Sequence, residues 1–289
     1  MIYRHQFDIS RIANNELLLN YKNRIQNSFQ RLRDGKKVAF QYLKNDPLEI
    51  AKTNIINESN HDIYNFLELY LQIGIGNFDR YFTTEDSTEV LINGETFKCE
   101  KIDDSGGIDY FNWLNLFSIA LILRSQKYLQ KIVSLQSKID DPFKFWKFGS
   151  EFLVSVFNQN EKNAPSFLNN IKEIAKQGTS VEFTPSGQNQ IQSDDVSEIL
   201  TILWLPIFEL YDFAFQSDHQ GFNSKMEEYL LQRKKYIVDK KLIDDGRYWI
   251  DFPFLGCCSY AHDAGIKIDI QTEYAPKKIY ENMTKDSSI

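Results

Sequence analysis

Apolar residues at Ile63, Phe66, Leu67, Tyr70, Leu71, Phe78 and Tyr81 lie on one face of a 3.6-residue repeat. A stripe of that length commits the segment to a helix, which must bury the stripe against neighbouring elements. The same spacing recurs along much of the chain. Leu17, Leu18, Leu19, Tyr21 and Ile25 give the first thirty residues a ragged apolar face, with Gly35 as its stop. A short helix follows Asp46-Pro47 to about Ile56. Asp141-Pro142 opens another, carrying Phe145, Phe148, Phe152 and Phe157. "APSFLNNIKEIAKQ" reads as a further helix stopped by Gly178. Asp194 and Asp195 cap an apolar helix to Phe215 that Pro206 should kink. A penultimate helix from about Phe222 turns Met226, Tyr229, Leu230 and Tyr236 inward. It turns Glu227, Glu228, Arg233, Lys234 and Lys235 outward. Gly74 and Gly76 interrupt the Ile63 stripe. "GIGNFDR" lacks the preceding strand and third glycine of a dinucleotide loop, so the pair predicts close packing or a local break.

The pattern changes once. "TEVLINGETFKCEKI" alternates around Asn93-Gly94, a dipeptide suited to the positive φ angles of a type I′ turn. A hairpin follows, with strands at 89–92 and 95–101, and it must lean on helices to be stable. "IKIDI" also alternates, with Ile266, Ile268 and Ile270 on one side, and can join the hairpin as a third strand. The expected fold is therefore mainly α: a single multi-helix domain over 1–289 with a small antiparallel sheet at about 89–101. After the loop "DDSGGID", Trp113, Phe117, Ala120 and Arg124 share one helical face. Arg124 is best placed at the helix end, where its cation meets water and the negative end of the dipole.

The formal net charge is -7 and the sequence pI about 5.3. An acidic surface repels phosphate backbones, which argues against nucleic acid and suits a basic protein partner. Three cysteines, two of them adjacent, do not form a disulfide framework. "MIYRHQFDISR" has no apolar stretch of signal-peptide length, so a cytoplasmic location is expected. "FNWLNLFSIALIL" and "ILTILWLPIFEL" are too short and too interrupted to span a membrane.

The run "FPFLGCCSYAHDAGIKIDI" concentrates reactive side chains. Cys257, Cys258 and His262 lack the ligand spacing of a structural zinc site, and no second cluster completes one. Cys258 and His262 stand at i and i+4, close enough on a helix for a nucleophile and its base. A structural corner accounts for more residues. Pro253 starts a helix, small residues allow close approach, Gly265 stops it and an extended segment follows. No catalytic, metal or cofactor-binding residues are assigned. The alternatives are an all-helical enzyme with a Cys/His/Asp site near 257–263, and a helical peptide-binding scaffold.

"LGCCSYAHDAGIKIDIQTEYAP" resembles the C-terminal signature of the immunity protein 49 family through Asp263, Gly265, Ile266, Ile268, Ile270, Tyr274 and Pro276. "EVLINGETFKCEKIDDSGGIDYFNWLNLFSIALILRS" resembles a second family block, with Trp113, Ala120 and Arg124 in matching places. Ala264 departs from the basic residue the family commonly carries between the Asp and the Gly. The resemblance implies a mainly helical cytoplasmic immunity protein of a bacterial polymorphic toxin system. Such a protein binds the toxin domain encoded beside it, without catalysis or cofactor. Its structural residues would be Trp113, Ala120, Arg124, Asp263, Gly265, Tyr274 and Pro276, with an ion pair expected between Arg124 and Asp263. Against a basic toxin such as a nuclease, the candidate contacts are Asp103, Asp104, Asp244, Asp245, Asp269 and Glu273, with Asp194 and Asp195 beside them. Tyr274 and Tyr280 are the candidate aromatic anchors.

Overall fold

A computed structural model describes residues 15–58, 62–177 and 193–281. The chain divides into two compact, mainly helical units, one within Phe7–Ile139 and one within Asp140–Ile289. Gly178, the polar loop after it and the side chains of Asp194 and Asp195 lie outside the described residues.

The N-terminal unit runs α1 (Asn15–Arg33), α2 (Phe40–Leu43), α3 (Asn45–Ile56), α4 (Ile63–Phe82), β1 (Ser87–Ile92), β2 (Glu95–Glu100), α5 (Tyr110–Ile122) and α6 (Gln126–Gln136). The long apolar stripe forms α4, with Leu67, Leu71 and Ile73 fully buried. Asn93 and Gly94 adopt φ of 52° and 79°, the type I′ geometry their chemistry favours. Val90 pairs with Phe97 and Ile92 with Glu95. The inward face of the hairpin carries Val90, Ile92, Phe97 and Cys99, packed with Ile25, Phe40, Leu43 and Ile73. The two α4 glycines serve close packing. A Cβ on Gly76 would stand 2.4 Å from Val90 Cγ1, and one on Gly74 2.5 Å from Leu116 Cδ2.

The C-terminal unit runs α7 (Lys144–Phe157), α8 (Ala164–Gln177), α9 (Ser193–Ile199), α10 (Leu205–Phe215), α11 (His219–Asp239), α12 (Phe252–Asp263) and α13 (Lys277–Glu281). Its core is aromatic, with Phe145 and Phe152 edge-on to Phe208. α7 starts two residues after Pro142, because Asp141 Oδ1 first accepts the Phe143 N–H (3.0 Å) in a local turn. Between α9 and α10, Leu200–Trp204 form a π turn in which Leu205 N–H bonds the Leu200 carbonyl. Pro206 has no N–H to give and crowds the preceding turn. The widened turn accommodates it.

The 266–270 segment is extended but joins no strand of the hairpin, which among the described residues is a two-stranded sheet. Alternation fixed its buried face correctly, with Ile266 and Ile268 inward. Its edge is satisfied by side chains instead. Asn223 Nδ2 donates to the Lys267 carbonyl (2.9 Å), and Asn223 Oδ1 accepts the Asp269 N–H (2.8 Å). One carboxamide thus makes the two bonds that a neighbouring strand would make.

Helix ends follow one device with varied residues. α1 and α12 close on Gly35 and Gly265 in the left-handed region, as their sequence position implies. α5, α7, α10 and α11 close the same way on Arg124, Gln159, Ser217 and Lys241, with φ of 49°, 55°, 57° and 57°. In each case the next residue bonds back into the last turn, as Ser125 N–H does to the Ala120 carbonyl (3.1 Å) and Leu242 N–H to the Ile237 carbonyl (2.9 Å).

Candidate functional site

The C-terminal corner is built on Asp251. Its Oδ1 accepts the Phe254 N–H (3.0 Å) and so caps α12, whose first turn holds Pro253. Its Oδ2 accepts the Tyr229 hydroxyl (2.7 Å) and pairs with Arg233 Nη1 (2.8 Å). Arg233 Nη1 also donates to the Tyr229 oxygen (3.1 Å). Both charged groups are buried, at 4% and 5% exposure. The rings of Tyr274, Tyr248 and Tyr229 stand 5.4, 5.8 and 6.0 Å from the guanidinium carbon. Burial works to lower the Arg233 pKa, but Tyr229, Asp251 and Tyr274 outweigh it and hold the cation. Burial raises the Tyr229 pKa well above its usual value, so its proton stays in place. This cluster fastens α11, the start of α12 and the segment leading to α13 to one another. Arg233 was expected on the outer side of α11. It is inside because Met226, Tyr229, Arg233 and Tyr236 share one helical face, and Asp251 neutralises it there.

The reactive side chains of the corner are placed for packing. Cys257 and Cys258 are fully buried, and burial pushes both thiols upward. A thiol in that state carries little thiolate, which a nucleophile or metal ligand needs. His262 lies half-buried beside Asp263 (Nδ1 to Oδ1 3.4 Å) and tilted against Tyr280. Among the described residues, no group of three or more His, Cys, Asp and Glu side chains is arranged to hold a metal ion. No described helix is long and apolar enough to cross a membrane.

The signature positions occupy defined places. Gly265 (φ 85°) ends α12, and its N–H bonds the His262 carbonyl (3.0 Å). Pro276 precedes α13 and its carbonyl accepts the Ile279 N–H (2.9 Å). In the N-terminal unit, Trp113 Nε1 donates to the Ile132 carbonyl (2.7 Å), and its ring stacks on Phe117. Ala120 is fully buried and offers its carbonyl to the turn at Arg124. Arg124 ends its helix as expected, but in a left-handed conformation and only half-buried. Its expected ion pair with Asp263 would join the two units and stands as an expectation.

Of the acidic candidates, Asp103, Asp104, Asp244 and Asp269 are exposed. Asp104 Oδ1 accepts the Gly106 N–H (2.9 Å) and Asp269 pairs with Lys267 (3.1 Å). Asp245 is partly buried, caps the short turn at Gly246–Tyr248 and pairs with Arg247 (2.5 Å). Glu273 is half-buried. Tyr274 and Tyr280 are 0% and 1% exposed, so both expected anchors spend their surfaces inside the protein. The acidic candidates do not converge. Asp103 and Asp104 belong to the N-terminal unit, and the others to the C-terminal unit.

A second buried polar cluster had no sequence motif. Lys44, 4% exposed, donates from Nζ to Asn112 Oδ1. Asn112 in turn bonds Asp109, the cap of α5, through its backbone N–H (2.6 Å) and its Nδ2 (2.7 Å). Burial pushes the Lys44 pKa down to about 8, with Asp109 acting in the other direction.

Residues 166–279 match the model of the family described as immunity protein 49. The matched stretch contains most of α8, all of α9 to α12 and the start of α13, including Arg233, Asp251, Asp263, Gly265, Tyr274 and Pro276. The hairpin block with Trp113, Ala120 and Arg124 falls outside it. No curated protein and no solved structure matches.

Proposed function

We propose that this protein is an immunity protein that binds a cognate polymorphic toxin domain and neutralises it stoichiometrically in the cytoplasm. The observation that carries this reading is the family match over residues 166–279. Two features of the chain support it. The thiols of the one stretch rich in reactive side chains are buried and hold their protons, which favours binding over catalysis. Residues 1–139 carry equal numbers of acidic and basic side chains, so the whole net charge of -7 resides in residues 140–289. A field of that sign would speed encounter with a basic toxin, such as a nuclease, and would lose that effect at high salt.

Both readings of the corner have a direct test. Co-expression with the toxin domain encoded by the adjacent gene should restore growth, and the two proteins should co-purify at one-to-one stoichiometry. Undiminished toxicity with no complex would reject the reading. Growth restored by substoichiometric amounts of this protein would point to an enzyme instead.

A further inference from the structure

Strand β1 has an unused edge. The Lys101 N–H bonds the Asp86 carbonyl (2.9 Å), and Ile92 pairs with Glu95 at the turn. That register aims the main-chain groups of Thr88, Val90 and Ile92 at β2. The N–H and C=O groups of Ser87, Glu89 and Leu91 therefore point the other way, and they meet no partner among the described residues. The series continues to Asn93, whose N–H is taken by Gln72 Oε1 (2.7 Å). Gln72 is itself held by Tyr128 (2.9 Å), so the open edge has a fixed end. The side chains above this edge are exposed, with Leu91 at 49%.

An open strand edge is a template for another strand. A second copy of this chain suits it poorly. An antiparallel pairing about a two-fold axis at Glu89 would set that carboxylate against its own copy and Leu91 against Ser87. An in-register parallel pairing also brings the two Glu89 side chains together. Like charges directly opposed destabilise a strand pair. The same carboxylate favours a foreign strand with a cation in that place.

We propose that the outer edge of β1 receives an extended segment of the bound toxin. It pairs through the main chain of Ser87, Glu89 and Leu91, with a cationic side chain opposite Glu89 and an apolar one opposite Leu91. This rests on the immunity reading and names the surface it uses.

The test measures binding of the full-length protein to the toxin domain encoded by the adjacent gene, by interferometry, with amide exchange on the complex. Leu91→Pro removes one outward N–H and leaves the β1–β2 ladder intact. It should weaken binding by at least about tenfold, as should Glu89→Lys, which reverses the charge. The Glu89 and Leu91 amides should gain protection in the wild-type complex. If wild type binds while both variants bind equally well and neither amide is protected, the edge is not the docking surface and the immunity reading survives. If wild type fails to bind, both fall. If Leu91→Pro does not fold, Glu89→Lys and the wild-type exchange pattern decide the matter.

Discussion

Replacing Lys44 with Met should stabilise the N-terminal unit at neutral pH, although it deletes a hydrogen bond. Lys44 is buried, and its pKa falls from 10.5 to about 8. A tenfold change in proton affinity is worth about 1.4 kcal/mol, so keeping this ammonium charged inside costs about 3 kcal/mol. Loss of the bond to Asn112 returns about 1 kcal/mol of that, because Asn112 is half-buried and still held by Asp109. A net gain of about 2 kcal/mol is expected at pH 7. The sign of the pH dependence follows from the same lowered pKa. Below about pH 8 the folded and unfolded states are both protonated, and the fold carries the full penalty. Between about 8 and 10.5 the unfolded chain binds more proton, so wild-type stability should rise relative to the variant and their difference should vanish. Comparison with the variant is essential. Cys99 and Tyr70 in the same unit have pKa values raised by burial, and these contribute the opposite slope at high pH. Pulsed alkylation in a urea series, resolved by peptide mass, reports each unit separately. Cys99 reads the N-terminal unit, and Cys257 and Cys258 read the other. A variant that is less stable at pH 7, or whose difference from wild type does not shrink with pH, would refute the reasoning.

Further outcomes follow from packing and helix ends. Gly76→Ala should cost about 1–3 kcal/mol in the same Cys99 assay, because the new methyl would overlap Val90 at 2.4 Å. Arg233→Met should cost about 3–5 kcal/mol, read at Cys257 and Cys258, since it leaves the Asp251 carboxylate buried without its cation. Gln159→Gly and Lys241→Gly should each stabilise by about 1 kcal/mol, because both exposed residues hold a left-handed conformation that glycine adopts without strain. Loss of stability in either variant would mean that the side chain makes a contact worth more than the strain.

Features governed by local chemistry were legible in the sequence. Asn93-Gly94 specifies its turn through two backbone angles, and nothing distant is required. The Ile63 stripe specifies α4 because its period recurs over several turns. At 266–270, alternation gave the buried face, but a period of two carries no information about what pairs with the edge. There the partner is Asn223, more than forty residues upstream on a helix. The signature residues were legible as a corner, while the role of Asp251 was not. Its capping position follows from Pro253 two residues on, yet its second oxygen serves a residue on α11.

The remaining misreadings share one physical cause: residue type was taken as the signal when position was the better guide. Arg233 lies four residues after Tyr229 and three before Tyr236, the spacing of an inward stripe, yet its charge and its basic neighbours suggest water. A cation can occupy such a stripe only if a carboxylate arrives from elsewhere, and Asp251 does so while capping the next helix. Lys44 shows the incomplete form of the same arrangement. A neutral amide receives its proton, and the nearest carboxylate acts on it through space. Arg233 therefore keeps its charge while Lys44 is driven towards losing its own. The two buried cations should respond in opposite directions to removal: truncating Arg233 exposes an unpaired anion to the interior, whereas truncating Lys44 relieves an uncompensated one.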